Sequence, residues 1–125
     1  MQKKIFGGLF LLLAGMLIFA SCAKDTLVLP QSNINPNLKI SFKDTIQPIF
    51  TSGCLGSFCH SGAVTPNLTA GQAYNSLKSG YINTDVPAQS KIYLEMKSGG
   101  GMSGHCTVDQ SDLVLVWIKQ GALDN

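Results

Sequence analysis

The residues best equipped for chemistry stand together at 54–60, Cys54-Leu55-Gly56-Ser57-Phe58-Cys59-His60. Two thiols with a histidine directly behind the second form a widened C-x-x-C-H signature, the pattern by which c-type haem is attached. Here four residues separate the cysteines where the usual pattern has two. Each thiol can add across a vinyl group of the haem, and the adjoining imidazole can then reach the iron from its proximal side. On this reading Cys54 and Cys59 are thioether anchors and His60 is the fifth iron ligand. Met102 lies in the run Gly99-Gly100-Gly101-Met102-Ser103-Gly104. Glycines remove the Cβ atoms that hold a backbone away from a flat macrocycle, so Met102 is the leading sixth ligand. His105 is its rival, and ligation through it would be bis-histidine. Met96 shares a helical face with Ile92 and reads as core packing.

The chain has four cysteines, and the same residues admit a second chemistry. Cys54, Cys59, His60, His105 and Cys106 supply enough soft ligands for a structural or zinc-binding protein. Zinc sites favour paired knuckles, however, and adjacent ligands such as His105 and Cys106 rarely reach one tetrahedral ion. Cys106 is the odd thiol: either it is free and buried, or it pairs with Cys54 and leaves Cys59 alone to carry the haem. Nothing in the chain suggests an enzyme. There is no pair of carboxylates, no Ser/His/Asp order and no nucleotide loop, and peroxidase chemistry would require an open sixth haem site.

The first residues point to export. Lys3 and Lys4 precede a glycine-broken apolar run, Ile5 to Ala20, that ends in Phe19-Ala20-Ser21-Cys22. This is a cleavable signal covering residues 1–21. Its small-small-Cys ending resembles a bacterial lipoprotein signal, which makes Cys22 the acylated first residue of the mature chain. The alternative is an uncleaved anchor, but the apolar run is short for a bilayer span. The protein is therefore expected in the cell envelope, periplasmic or on the outer membrane, held through a lipid. Setting the signal aside leaves room for one small domain. Without Lys3 and Lys4, seven lysines balance seven acidic residues and there is no arginine. A near-neutral chain is a poor match to nucleic acid, and only lysines or backbone amides could pair with haem propionates.

Elements that could position these groups follow from periodicity and punctuation. Residues 22–40 carry Pro30, Pro36 and three asparagines without a helical period, and read as a tether. From residue 41 to 125 the pattern is helical. Ser41 caps a first helix with Phe42, Ile46, Ile49 and Phe50 on one face; Pro48 sits awkwardly inside it, and Gly53 ends it. A second helix spans 69–77, with Ala73, Tyr74 and Leu77 inward, and a third spans 89–97 with Ile92, Tyr93 and Met96 inward. The segment 108–120 is the hardest to assign, because Leu113 to Ile118 has strong β-propensity. Thr107 and Gln110 form a capping box and Gly121 a stop, which favours helix. Trp117 then belongs to a core crossing and not to an electron-transfer wire.

Taken in order, these segments resemble a small class I cytochrome c, most closely the planctomycete-type cytochrome c domain of exported bacterial proteins. The resemblance covers about the last 85 residues. It rests on Ile46-Gln47-Pro48-Ile49-Phe50, then Cys54…Cys59-His60-Ser61-Gly62, then Ser90-Lys91-Ile92-Tyr93, then the methionine loop, and finally Trp117-Ile118-Lys119-Gln120-Gly121-Ala122. It implies an all-α fold of roughly three to five helices around one covalent haem c, with first and last helices crossing beside the haem edge. It also implies a one-electron carrier with His60 and Met102 on the iron. The implied partners are redox proteins such as a respiratory complex or terminal oxidase. Two departures from the family stand out. The wider cysteine spacing demands a bulged attachment loop, and Ser103 follows Met102 where the family usually has proline.

Overall fold

The computed structural model describes residues 34–35 and 37–125. The expected signal, the expected lipidation site Cys22 and most of the expected tether lie outside this range. Among the described residues the chain forms helices and turns with no strand, an all-α architecture. None of these helices is long and apolar enough to cross a membrane.

Ser41 opens the first helical segment as its spacing predicts. Its hydroxyl accepts from the Asp44 N–H at 3.1 Å and donates to the Asn125 main-chain oxygen at 2.8 Å. A π-helical turn, Phe42–Ile46, runs directly into α1, Gln47–Gly53. The wide turn answers the question posed by Pro48. Proline has no N–H to donate and its ring crowds the preceding turn; here it sits in the first turn of α1, where that donor is not required. Phe42, Ile46, Ile49 and Phe50 are all buried. α1 stops at Gly53, and the Cys54 N–H closes it on the Phe50 carbonyl at 2.9 Å.

α2 covers Ala73–Lys78 and is shorter than the predicted 69–77. Asn67 explains the loss: its Oδ1 accepts from both the N–H and the hydroxyl of Thr69, at 3.0 and 2.7 Å. Gly71 follows at φ +80°, a left-handed conformation incompatible with a continuing helix. Ala73 and Leu77 are fully buried and Tyr74 is half-buried. After a 3₁₀ turn at Pro87–Gln89, α3 runs over Lys91–Met96 with Ile92 and Met96 inside. A second 3₁₀ turn, Ser103–His105, lies within the glycine-rich segment.

α4, Val108–Lys119, settles the helix–strand competition in favour of the helix. Both capping-box bonds form: Gln110 N–H to Thr107 Oγ1 at 3.2 Å, and Thr107 N–H to Gln110 Oε1 at 2.8 Å. α4 packs against α3 and against the π-helical turn. Its inner face, Ser111, Val114, Trp117 and Ile118, is buried. Phe42 meets Trp117 at a centroid distance of 5.1 Å and Tyr74 edge-on at 5.4 Å. Burying such side chains contributes about 1.5–3 kcal/mol each. The Trp117 indole N–H reaches the Leu123 carbonyl at 2.9 Å, so this core leaves no polar atom unmatched.

Residues 38–40, the last of the expected tether, are docked on this core. Ile40 is buried, its N–H donates to Gln120 Oε1 at 3.0 Å, and Gln120 Nε2 donates to the Leu38 carbonyl at 2.7 Å. The packed unit therefore begins a few residues ahead of the first helical segment.

Candidate functional site

Cys54 caps α1, so the helix end itself fixes the first thiol. The residues that follow fold into a compact loop: Cys59 N–H to Gly56 O at 2.9 Å, and His60 N–H back to Cys54 O at 3.1 Å. The four-residue spacer is accommodated by Phe58, which takes a left-handed φ of +68° and leaves its ring 89 % exposed. Gly56 keeps the interior of this loop open, since a Cβ there would lie 3.3 Å from the Cys59 sulfur. The thiols of Cys54 and Cys59 and the ring of His60 are all half-buried at one end of the helical core.

The orientation of His60 follows from one bond. Its Nδ1 lies 2.9 Å from the carbonyl oxygen of the buried Pro66. A carbonyl can only accept, so Nδ1 carries the proton and donates. Nε2 is then the nitrogen left with a lone pair, the tautomer required of a metal ligand whose other nitrogen is held by the protein.

Two adjoining cavities meet at these residues. The larger, about 340 Å³, is bounded by Cys54, His60, Pro66 and Leu68 together with Tyr81, Ile92, Met96 and Met102. The smaller, about 260 Å³, is bounded by Cys59, Phe58 and His105, and shares Cys54, His60, Val64 and Met102 with the larger. Met102 thus borders both spaces. His105, its rival from the sequence, borders only the smaller one. Met96 is in the core as expected, 3 % exposed, yet it also forms part of the larger cavity's floor.

The position of Met102 depends on glycine for a local reason. A Cβ on Gly100 would collide with the carbonyls of Leu94 and Glu95, so only glycine lets this loop fold onto the end of α3. Glu95 then holds it from two atoms: its carbonyl accepts the Met102 N–H at 2.8 Å and its Oε2 accepts the Gly101 N–H at 3.2 Å. Gly53 plays the matching part on the other side, since a Cβ there would stand 2.5 Å from the His105 carbonyl oxygen.

Cys106 is a free, half-buried thiol beside this junction, as are Cys54 and Cys59. Its Sγ donates to the Met96 carbonyl at 3.0 Å, with the Met102 carbonyl a further 3.6 Å contact. Burial raises the pKa of Cys54, and the charges of Cys106 and Cys59 raise it further. Burial alone raises that of Cys106. Cys54 lies close enough to feel the other two thiols, but among the described residues no three His, Cys, Asp or Glu side chains gather around one point as a zinc ion would need.

Pro66, Leu68, Tyr81, Lys91 and Glu95 border the larger cavity without having been singled out as site residues by sequence reasoning. Only the short motif Ser90-Lys91-Ile92-Tyr93 had drawn attention to this part of α3. Among the described residues the fold and site thus define an all-α domain in which two adjoining cavities share Cys54, His60 and Met102, with Cys59 on the smaller. Compared with protein-family models, curated proteins and solved structures, the chain matches none of them.

Proposed function

We propose that this domain is a small c-type cytochrome, a one-electron carrier with a single covalent haem, tethered to an envelope membrane through Cys22. The observation that carries the reading is the shared cleft. Met102, Cys54 and His60, its Nδ1 engaged by Pro66, border the same apolar cavity, and Cys59 borders the smaller one adjoining it. An apolar cleft with a few convergent polar groups suits a large flat cofactor, and this donor set of two thiols, imidazole and thioether suits haem c. Cys54 and Cys59 would hold it by thioether bonds, and His60 and Met102 would hold its iron. When bound, the haem supplies a metal centre that changes oxidation state by one electron.

The chain's own residues do the rest. Pro66 orients the imidazole and keeps its proton on Nδ1. Gly100 and Glu95 place the thioether, a ligand that favours the reduced metal and raises its potential relative to a second histidine. Leu68, Ile92 and Met96 exclude water from the cavity wall. With His60 and Met102 both holding the iron, no site would be left for a substrate, and electron exchange with a redox protein would be the natural activity. A respiratory complex or terminal oxidase would suit a domain on a membrane tether.

The test is production in a host with haem c maturation machinery. The expected product is red, keeps its haem through acid–acetone extraction, and in the ferric state shows the far-red charge-transfer band of methionine ligation. Met102→Ala should abolish that band and open the metal to carbon monoxide, while His60→Ala should prevent stable loading. A colourless protein that binds one equivalent of zinc would sink the proposal. Loss of the native spectrum in His105→Ala, with none in Met102→Ala, would make it a bis-histidine carrier.

A further inference from the structure

Lys91 stands where the larger cavity meets solvent, and among the described residues it is the only lysine bordering that cavity, in a chain without arginine. Its helix offers an obvious partner: Glu95 lies one turn ahead on α3 and borders the same cavity. That pair is not made. Glu95 Oε2 is turned to the Gly101 N–H, and Lys91 Nζ lies instead over the ring of Tyr81, 5.0 Å from its centroid. Lysine ahead of glutamate is the weaker order for a pair at this spacing, so little is lost by diverting Glu95 to the methionine loop. The result is an ammonium held by an aromatic face at the edge of an apolar space, with no ion pair to another described residue.

We propose that Lys91 is the anion-recognising end of the cavity, pairing with a carboxylate on the edge of the flat apolar ligand. Resting on the haem reading above, that carboxylate is a haem propionate. A carboxylate at the margin of an apolar cavity needs a partner, because burying an unpaired charge is costly. The other titratable groups facing this space cannot provide one. His60 is committed to Pro66, Cys54 is a neutral thiol, Glu95 is itself an anion, and the Tyr81 phenol offers at most a neutral hydrogen bond. Lys91 therefore also sets which edge of the ligand lies toward α3.

Two variants of the haem-loaded protein separate charge from packing. Lys91→Met keeps an apolar stem against Tyr81 and removes the ammonium; Lys91→Arg keeps a cation. The midpoint potential is measured against pH for each. Without its cation partner the carboxylate's negative charge favours the ferric metal, so Lys91→Met should have a lower potential at neutral pH. The pH step from carboxylate titration should also move upward, because the cation that kept it ionised is gone. Lys91→Arg should restore both. Reductive methylation supplies a second readout: in the loaded protein Lys91 should react several-fold more slowly than the exposed Lys97 and Lys119. A loaded Lys91→Met with wild-type potential and pH step, or a Lys91 labelled as fast as Lys97, overturns this inference and leaves the haem reading standing. A wild-type protein without covalent haem overturns both.

Discussion

Around Phe42 the rings of Phe50, Tyr74 and Trp117 close in with centroids 5.1 to 6.5 Å apart, and every polar atom buried there has a partner. At the far end of α1, Cys54, His60 and Met102 surround open space. Phe58, Val64 and Met102 around it are 89 %, 46 % and 39 % exposed. The first region is explained by its own packing. The second is not: it spends glycine and a left-handed phenylalanine on placing side chains that gain little from one another. On the proposed function, this conformational cost without a packing return is what a site built for a ligand would carry. The packed cluster and the candidate site thus lie toward opposite ends of the segment formed by the π-helical turn and α1, and on the proposed function substitutions should separate them.

The largest effect belongs to the packed end. Trp117→Ala removes a fully buried indole together with its bond to Leu123. It should cost about 3–5 kcal/mol, read as a shift in the urea midpoint of the haem-free protein. Met102→Ala in the same assay should change stability by less than about 0.5 kcal/mol, as expected for an exposed side chain with no packing role. Comparable losses in the two variants would erase the distinction between the regions.

A middle-sized effect is expected where the two regions join. Gly53→Ala sets a methyl against the His105 carbonyl, and Gly100→Ala sets one against the carbonyls of Leu94 and Glu95. Crowding of this kind costs about 1–3 kcal/mol. Both variants should also weaken the far-red band of the loaded protein, because each displaces the segment that carries Met102. Gly104→Ala is the control: nothing lies within 4 Å of an added Cβ there. It should melt and absorb like the wild type, and a Gly104→Ala protein as damaged as Gly53→Ala would show that the close approaches do not matter.

The split between regions also decides what could be read from the amino acids alone. α4 was legible against strong β-propensity because its cap is local, with Thr107 and Gln110 three residues apart. α2 was overextended because the interruption depends on an Asn67 side chain and on the φ of Gly71, neither of which periodicity reports. Pro48 signalled an irregularity, and only the fold shows it to be a wide turn ahead of α1. In the candidate site, Cys54, Cys59, His60 and Met102 stood out because their types are scarce and their spacing is chemical, and the structure brings them to two adjoining cavities. The walls did not. Pro66 as the acceptor for His60, Glu95 as the brace of the methionine loop and Lys91 at the cavity edge are ordinary residues given roles by tertiary contact. The same holds for Cys106, whose open alternatives resolve to a free thiol bonded to the Met96 carbonyl.

The smallest effect concerns those thiols and ties the regions together. Burial, then the charges of Cys106 and Cys59, raise the pKa of Cys54, and burial raises that of Cys106. A raised thiol pKa means the folded protein holds its proton more tightly than the unfolded chain. The corresponding stability is complete below the unfolded value, about 8.5, and is lost as pH climbs through the folded value. Deprotonation also ends the Cys106 S–H donation to Met96, loosening the methionine loop in the same range. The haem-free protein should therefore lose stability gradually in alkali, and Cys54→Ala should flatten part of that slope. In the loaded protein Cys54 would be a thioether with no proton to lose, so its share of the slope should vanish while that of Cys106 persists. Urea midpoints of the loaded and haem-free proteins across the alkaline range would show the difference. Parallel slopes in the two forms would mean that Cys54 is still a thiol after loading and that Cys59 alone anchors the haem.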